Sequence, residues 1–219
     1  MALPVSYPFS GALRFCPRAS VPLTLVAIAL CGCSINLGSL SSEADHQVPP
    51  QAAVPSGTEA SEAQAVTASG EALVRSGKNE EALAEFNKAI ALDPNNAQAL
   101  YNRGLLYQSE QQHQSAIDDF TAANGLTPQR AEPLLARAIS YLALDKAKAA
   151  ASDLDEAVQA DPQNAQIWTT RGLAYERLGD KSKAAGSYAR AINIRPKDEA
   201  ARSGFARVGG KPGQSYDTF

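Results

Sequence analysis

The stretch AQALYNRGLLYQSEQQHQSAIDDFTAANGLTPQR, residues 97–130, contains the whole plan of the chain. Stepping 34 residues in either direction from its Pro128 reaches Pro94, Pro162 and Pro196, and the same step from Ala116 reaches Ala82, Ala150 and Ala184. A third set is Ala89, Ala123, Ala157 and Ala191, and a fourth is Leu73, Tyr107, Tyr141 and Tyr175. Four registers sharing one period are the mark of a repeat architecture, in which no unit buries its apolar face alone and stacked neighbours make a continuous core.

The period and its residue types resemble the tetratricopeptide repeat, a helix-turn-helix unit of 34 residues. With the proline counted as position 32, the units run 63–96, 97–130, 131–164 and 165–198, inside a repeat region of residues 61–198. The resemblance implies an all-α, right-handed α-solenoid of four helix-turn-helix units closed by a C-terminal capping helix. Position 8 holds Gly70, Gly104, Ala138 and Gly172, expected to face the small Ala82, Ala116, Ala150 and Ala184 so that paired helices approach closely. Position 24 holds Phe86, Phe120, Leu154 and Tyr188, expected with Leu134 and Trp168 at position 4 to fill the space between one pair and the next. Each proline falls just past the second helix, which a residue without an N–H cannot prolong. Repeat three departs from its neighbours with Ala138, Leu154 and Asp145, the last standing where Gly77 and Gly179 occupy the turn. Residues 199–209, with Ala201, Phe205 and Val208 at helical spacing, read as the capping helix, and 210–219 as a disordered tail.

The composition agrees with closely packed helices. Of 219 residues, 44% are hydrophobic and only 6% aromatic, which suits small residues at helix crossings better than the β-branched and aromatic strands of a sandwich. A net charge of −3 gives no basis for nucleic-acid binding. All three cysteines, Cys16, Cys31 and Cys33, precede the repeats, so the repeat region holds neither a disulfide nor a cysteine metal site. Arg14 and Arg18, then the apolar run from Val21 to Leu30, read as an export signal over residues 1–32, within which the stretch from Val21 to Cys33 is too short to span a bilayer.

Leu30-Cys31-Gly32-Cys33 resembles the bacterial lipobox, with Cys31 departing from the usual alanine or serine. That resemblance implies a lipidated Cys33 at the head of the mature chain and, with Ser34 rather than aspartate after it, the outer membrane facing the periplasm. The alternative is an ordinary cleaved signal with incidental cysteines. Residues 33–60, with Pro49-Pro50 and Pro55-Ser56-Gly57, read as a flexible linker between anchor and array.

In the family the concave groove is lined by positions 2, 5, 6, 9, 12 and 13 of each first helix. The matching residues are Gln98, Tyr101, Asn102, Leu105, Gln108 and Ser109 in repeat two. They are Glu132, Leu135, Ala136, Ile139, Leu142 and Ala143 in repeat three, and Gln166, Thr169, Thr170, Leu173, Glu176 and Arg177 in repeat four. Leu105, Leu135, Ile139, Leu142 and Leu173 form an apolar middle between polar edges, suited to an amphipathic helix or short apolar segment. Two readings stay open at these positions: contact with a partner, or packing against the protein's own second helices or its tail, with Tyr216 and Phe219. A clamp for a terminal carboxylate is not expected, since only Asn102 matches while Thr67, Glu71, Glu132 and Ala136 occupy the other clamp positions. Arg103, Arg137 and Arg171 recur at position 7 and are read as local helix-surface contacts.

His46 and His113 have no catalytic partner in the pattern, and no phosphate loop or metal-ligand spacing occurs. The chain is therefore read as a non-enzymatic scaffold of the bacterial envelope with a protein or peptide partner, a membrane contact through Cys33, no nucleic acid and no cofactor. One alternative is a pilotin-like assembly factor for a pilus or secretion-system secretin. A more remote one is an accessory subunit of a peptidoglycan or glycosyl-transfer enzyme. Acids outnumber bases up to Thr170 and bases outnumber acids from Arg171 onward, which fits either a docking end for an anionic partner or ordinary solvated helix faces.

Overall fold

The computed structural model describes residues 57–211. The signal segment, Cys33, the linker as far as residue 56 and the tail from residue 212 lie outside the described residues. Within them, nine helices and no strand occur. In chain order these are α1 (Gly57–Arg75), α2 (Asn79–Leu92), α3 (Ala97–Ser109), α4 (His113–Leu126), α5 (Ala131–Ala143), α6 (Ala147–Ala160), α7 (Ala165–Leu178), α8 (Lys181–Ile194) and α9 (Glu199–Arg207). The first of them begins earlier than the sequence reading placed it, within residues assigned to the linker. Pro55 is the last proline before it, and Glu59 in its first turn complements the helix dipole.

Each helix packs chiefly on its neighbours in sequence, and the first helices α1, α3, α5 and α7 also touch in succession, so the array is one-dimensional. Position 15 breaks every first helix from its second in a left-handed conformation, with φ of +77° at Gly77, +61° at Gln111, +55° at Asp145 and +81° at Gly179. The following N–H returns to the carbonyl of position 11, from Lys78 to Leu73, Gln112 to Tyr107, Lys146 to Tyr141 and Asp180 to Tyr175, at 2.8–3.0 Å. This closes orphan carbonyls at each helix end. At the other junctions Asn96, Asn164 and Asp198 cap the next helix, their side chains accepting the N–H groups of Ala99, Gln166 and Ala201.

The position 8 glycines lie against the position 24 ring of their own repeat, a contact beyond those expected from the sequence. A Cβ added to Gly70 would sit 2.6 Å from Phe86, one on Gly104 2.7 Å from Phe120, and one on Gly172 2.6 Å from Tyr188. The alanines at positions 20 and 27 are fully buried as well, but the room freed at position 8 is occupied by the aromatic face. In repeat three Ala138 and Leu154, both fully buried in one cluster, replace that pair together. The same cluster takes in Leu134, Ile167, Trp168, Tyr175 and Tyr188, and α9 extends it through Ala201 and Phe205.

Candidate partner-binding groove

Because the first helices touch in succession, their outward positions form a continuous surface with two recesses. The first, of about 420 Å³, is lined by Glu71, Val74, Arg75, Asn102, Leu105 and Ser109, with Phe86 at its floor. The second, of about 300 Å³, is lined by Tyr101, Leu105, Gln108, Glu132, Leu135 and Ile139, and Ala136 and Gln166 also border it. Leu105 belongs to both and is 37% exposed, so it forms the apolar ridge between them.

The polar rim is held from within. Asn102 donates to Glu71 at 2.8 Å, and Gln98 donates to Glu71 and Asn102, each at 3.3 Å. Gln108 reaches across to α5, donating to the Ala136 carbonyl at 2.8 Å and the Ser140 hydroxyl at 2.7 Å. Tyr101 packs on Phe120 with centroids 5.8 Å apart, and burial raises its pKa, so its hydroxyl stays protonated. With the amides and Glu71 engaged, the apolar side chains Val74, Leu105, Leu135 and Ile139 are what the recesses offer a ligand.

Several of the expected groove side chains are engaged within the array. Leu142 is 4% exposed and belongs to the core, and Leu135 and Leu173 both pack against that core. The Thr169 hydroxyl lies 3.0 Å from the carboxylate of Asp198, which caps α9. Glu176 accepts from Tyr188 at 2.7 Å and from two Arg207 nitrogens at 2.8 and 3.0 Å. Arg177 donates to the Leu142 carbonyl and pairs with Asp145 at 3.3 Å. Helix α9, which packs on both α7 and α8, thus takes up Thr169 through its capping Asp198 and Glu176 through Arg207. Conversely, Glu71, Val74 and Arg75 of repeat one line the first recess. They stand at positions 9, 12 and 13, so extending the register one unit toward the N-terminus identifies them.

The three position 7 arginines follow a single rule. Each bridges position 23 of its own repeat and position 25 of the repeat before. Arg103 grips Asp119 in a bidentate pair at 2.7 and 2.8 Å and donates to Asn87 at 2.8 Å. Arg137 does the same with Asp153 and Thr121. Arg171, only 2% exposed, finds its carboxylate at Asp155 of the preceding repeat and donates to Ser187 of its own. It also lies between the rings of Trp168 and Tyr175, at 5.5 and 4.8 Å from their centroids. Burial, and then the hydrogen bond to Asp155, push the Tyr175 hydroxyl up to about 12. These arginines tie repeats together and do not present an anion site. Among the described residues no group of His, Cys, Asp or Glu is placed to hold a metal ion, and no helix is long and apolar enough to cross a membrane.

Family models described as TPR repeat or tetratricopeptide repeat match residues 70–111, 97–130 and 135–199. No curated protein matches the chain. Among solved structures, MamA superposes with a TM-score of 0.63 at 22% identity, covering 70% of this chain and 82% of that one. YrrB, described as a TPR protein with an unusual peptide-binding site, gives 0.60 at 21% identity over 65% of this chain and 74% of its own. The first TPR of Spaghetti (RPAP3), solved with the HSP90 peptide SRMEEVD, gives 0.52 at 25% identity over 53% and 93%.

Proposed function

Because this chain is built from tetratricopeptide repeats and is an interaction scaffold, we propose that it holds one apolar helical or extended segment of a protein partner against α1, α3 and α5. The observation that carries this reading is the state of the rim. Gln98, Asn102, Gln108 and Glu71 are already bonded to the protein, while Leu105, Leu135 and Ile139 remain beside open recesses. A ligand side chain the size of leucine or phenylalanine entering such a recess contributes about 1.5–3 kcal/mol. YrrB and Spaghetti, whose descriptions name a peptide-binding site and a bound peptide, support the same use of the fold here.

The anchoring sequence sets the proposed location. Leu30-Cys31-Gly32-Cys33 supports a lipoprotein of the bacterial envelope, held by acyl chains on Cys33 and facing the periplasm from the outer membrane. Metabolic labelling with palmitate checks this directly: label is expected on the native chain and absent from Cys33→Ser, and label retained by that variant rejects the anchor. For the groove, a photocrosslinker at Leu105 is expected to capture a partner that one at Asp118 on α4 does not. Capture is expected to disappear in Leu135→Glu/Ile139→Glu with the helical circular dichroism intact, and capture that persists in this folded variant rejects the groove.

A further inference from the structure

Charge is segregated along the array. Residues 57–164 contain 16 Asp and Glu against eight Lys and Arg, whereas residues 165–211 contain four against ten. Because the helices contact chiefly their sequence neighbours, this segregation in sequence is also segregation in space, with an acidic front and a basic end.

Internal pairing decides which charges stay available. At the basic end Arg171, Arg177 and Arg207 are consumed by Asp155, Asp145 and Glu176. Arg195 and Lys197, in the turn between α8 and α9, are exposed, and Arg202 is 60% exposed with only a 3.9 Å pair to Glu199. At the acidic end the arginine rule fails once. Repeats two and three neutralise their position 23 carboxylates, Asp119 and Asp153, with Arg103 and Arg137. Repeat one has Glu85 at position 23 and Ser69 at position 7, so the guanidinium that would fill this corner is not supplied by its own repeat.

We propose that the array docks head to tail on a second copy of itself. The Arg195, Lys197 and Arg202 cluster of one copy meets the acidic α1–α2 end of the next, and Glu85 receives a guanidinium at the corner that Ser69 leaves open. The second copy is the occupant because one chain carries both complementary ends, and because the described residues nearly balance, with 20 acids against 18 bases, a condition that favours association. Such a contact is heterologous, so it generates rings or open chains rather than a symmetric dimer. It is held by exposed charges and therefore weakens with salt.

Sedimentation of the full chain tests this. The mean mass is expected to rise with protein concentration at low ionic strength and to fall to the monomer at high ionic strength. Ser69→Arg supplies the missing arginine within the chain; it is expected to keep or raise the melting temperature while weakening association at least about tenfold. Glu62→Lys/Glu85→Lys and Arg195→Glu/Lys197→Glu/Arg202→Glu are each expected to stay monomeric alone and to form a mixed complex when combined, since together they exchange the signs of the two contacting clusters. A monomer at every concentration in low salt, association that survives Ser69→Arg, or swapped variants that ignore each other would each overturn the proposal. So would retention on anionic vesicles by a chain that never self-associates, which would assign the basic end to a lipid surface.

Discussion

The second and third repeats build the same corner with different residues. In repeat two Gly104 lets the Phe120 ring sit where a Cβ would be. In repeat three Ala138 restores that carbon and Leu154 gives up the ring. Either change alone would produce a clash or a void, and together they preserve the crossing. The arginine corner, by contrast, is identical in the two repeats, Arg103 with Asp119 and Arg137 with Asp153, because a bidentate pair tolerates no change of reach. What the array keeps is the fit between positions, and repeat four keeps the charged one by taking the Arg171 carboxylate from Asp155 of the preceding repeat.

The largest expected effect comes from emptying the corner. Phe120→Ala removes a fully buried ring and should cost about 3–5 kcal/mol in urea unfolding followed by circular dichroism. If Leu154→Ala costs more than Phe120→Ala, the two corners are not equivalent solutions. Converting one corner into the other is a finer test. Gly104→Ala places a carbon 2.7 Å from the Phe120 ring and should cost about 1–3 kcal/mol. Gly104→Ala/Phe120→Leu, which copies repeat three, should recover at least about 1 kcal/mol of the summed single costs. Additive costs would show that Ala138 and Leu154 do not compensate each other.

This compensation marks the boundary of what could be read from the sequence. The period, the four units, the capping helix and the prolines past each second helix were legible because each rests on one residue type recurring at one interval. The contact of glycine with ring was not legible, because only the path of the helices shows that position 8 meets position 24. Leu105, Leu135 and Ile139, picked from the register, line the second recess. The engagement of Thr169 and Glu176 was not legible, since they occupy the same register and differ only in having α9 beside them. A repeat alignment gives each position one role, and the end of an array reassigns it.

The turn at position 15 gives a smaller effect. Gln111 holds φ of +61°, a conformation costing a side chain roughly 1–2 kcal/mol that glycine escapes. Gln111→Gly is therefore expected to stabilise the chain by about 1 kcal/mol in the same unfolding assay. Asp145→Gly should gain less, because aspartate tolerates this region better and Asp145 also pairs with Arg177. A loss of stability at Gln111→Gly would mean that this turn is not strained.

The most local effect separates position 12 of repeat four from position 12 of repeat two. Gln108 bonds to the following repeat through neutral groups, while Glu176 bonds to the cap through Arg207 and to α8 through Tyr188. The Arg207 guanidinium, aided by the Tyr188 hydroxyl, holds the Glu176 carboxyl below the usual carboxylate range, although burial acts in the opposite direction. With the folded pKa below the unfolded one, the contribution is complete above the unfolded value of roughly 4.3 and is lost as pH falls through the folded value. Acidification should therefore loosen α9 while leaving the Gln108 junction unchanged. Gly204 of α9 reports on it, since a Cβ there would sit 2.3 Å from the Tyr188 ring, making its amide resonance sensitive to that ring. The Gly204 amide shift is expected to titrate at acid pH in the native chain and to become flat in Glu176→Gln. A titration unchanged in Glu176→Gln would mean that another group fastens the cap.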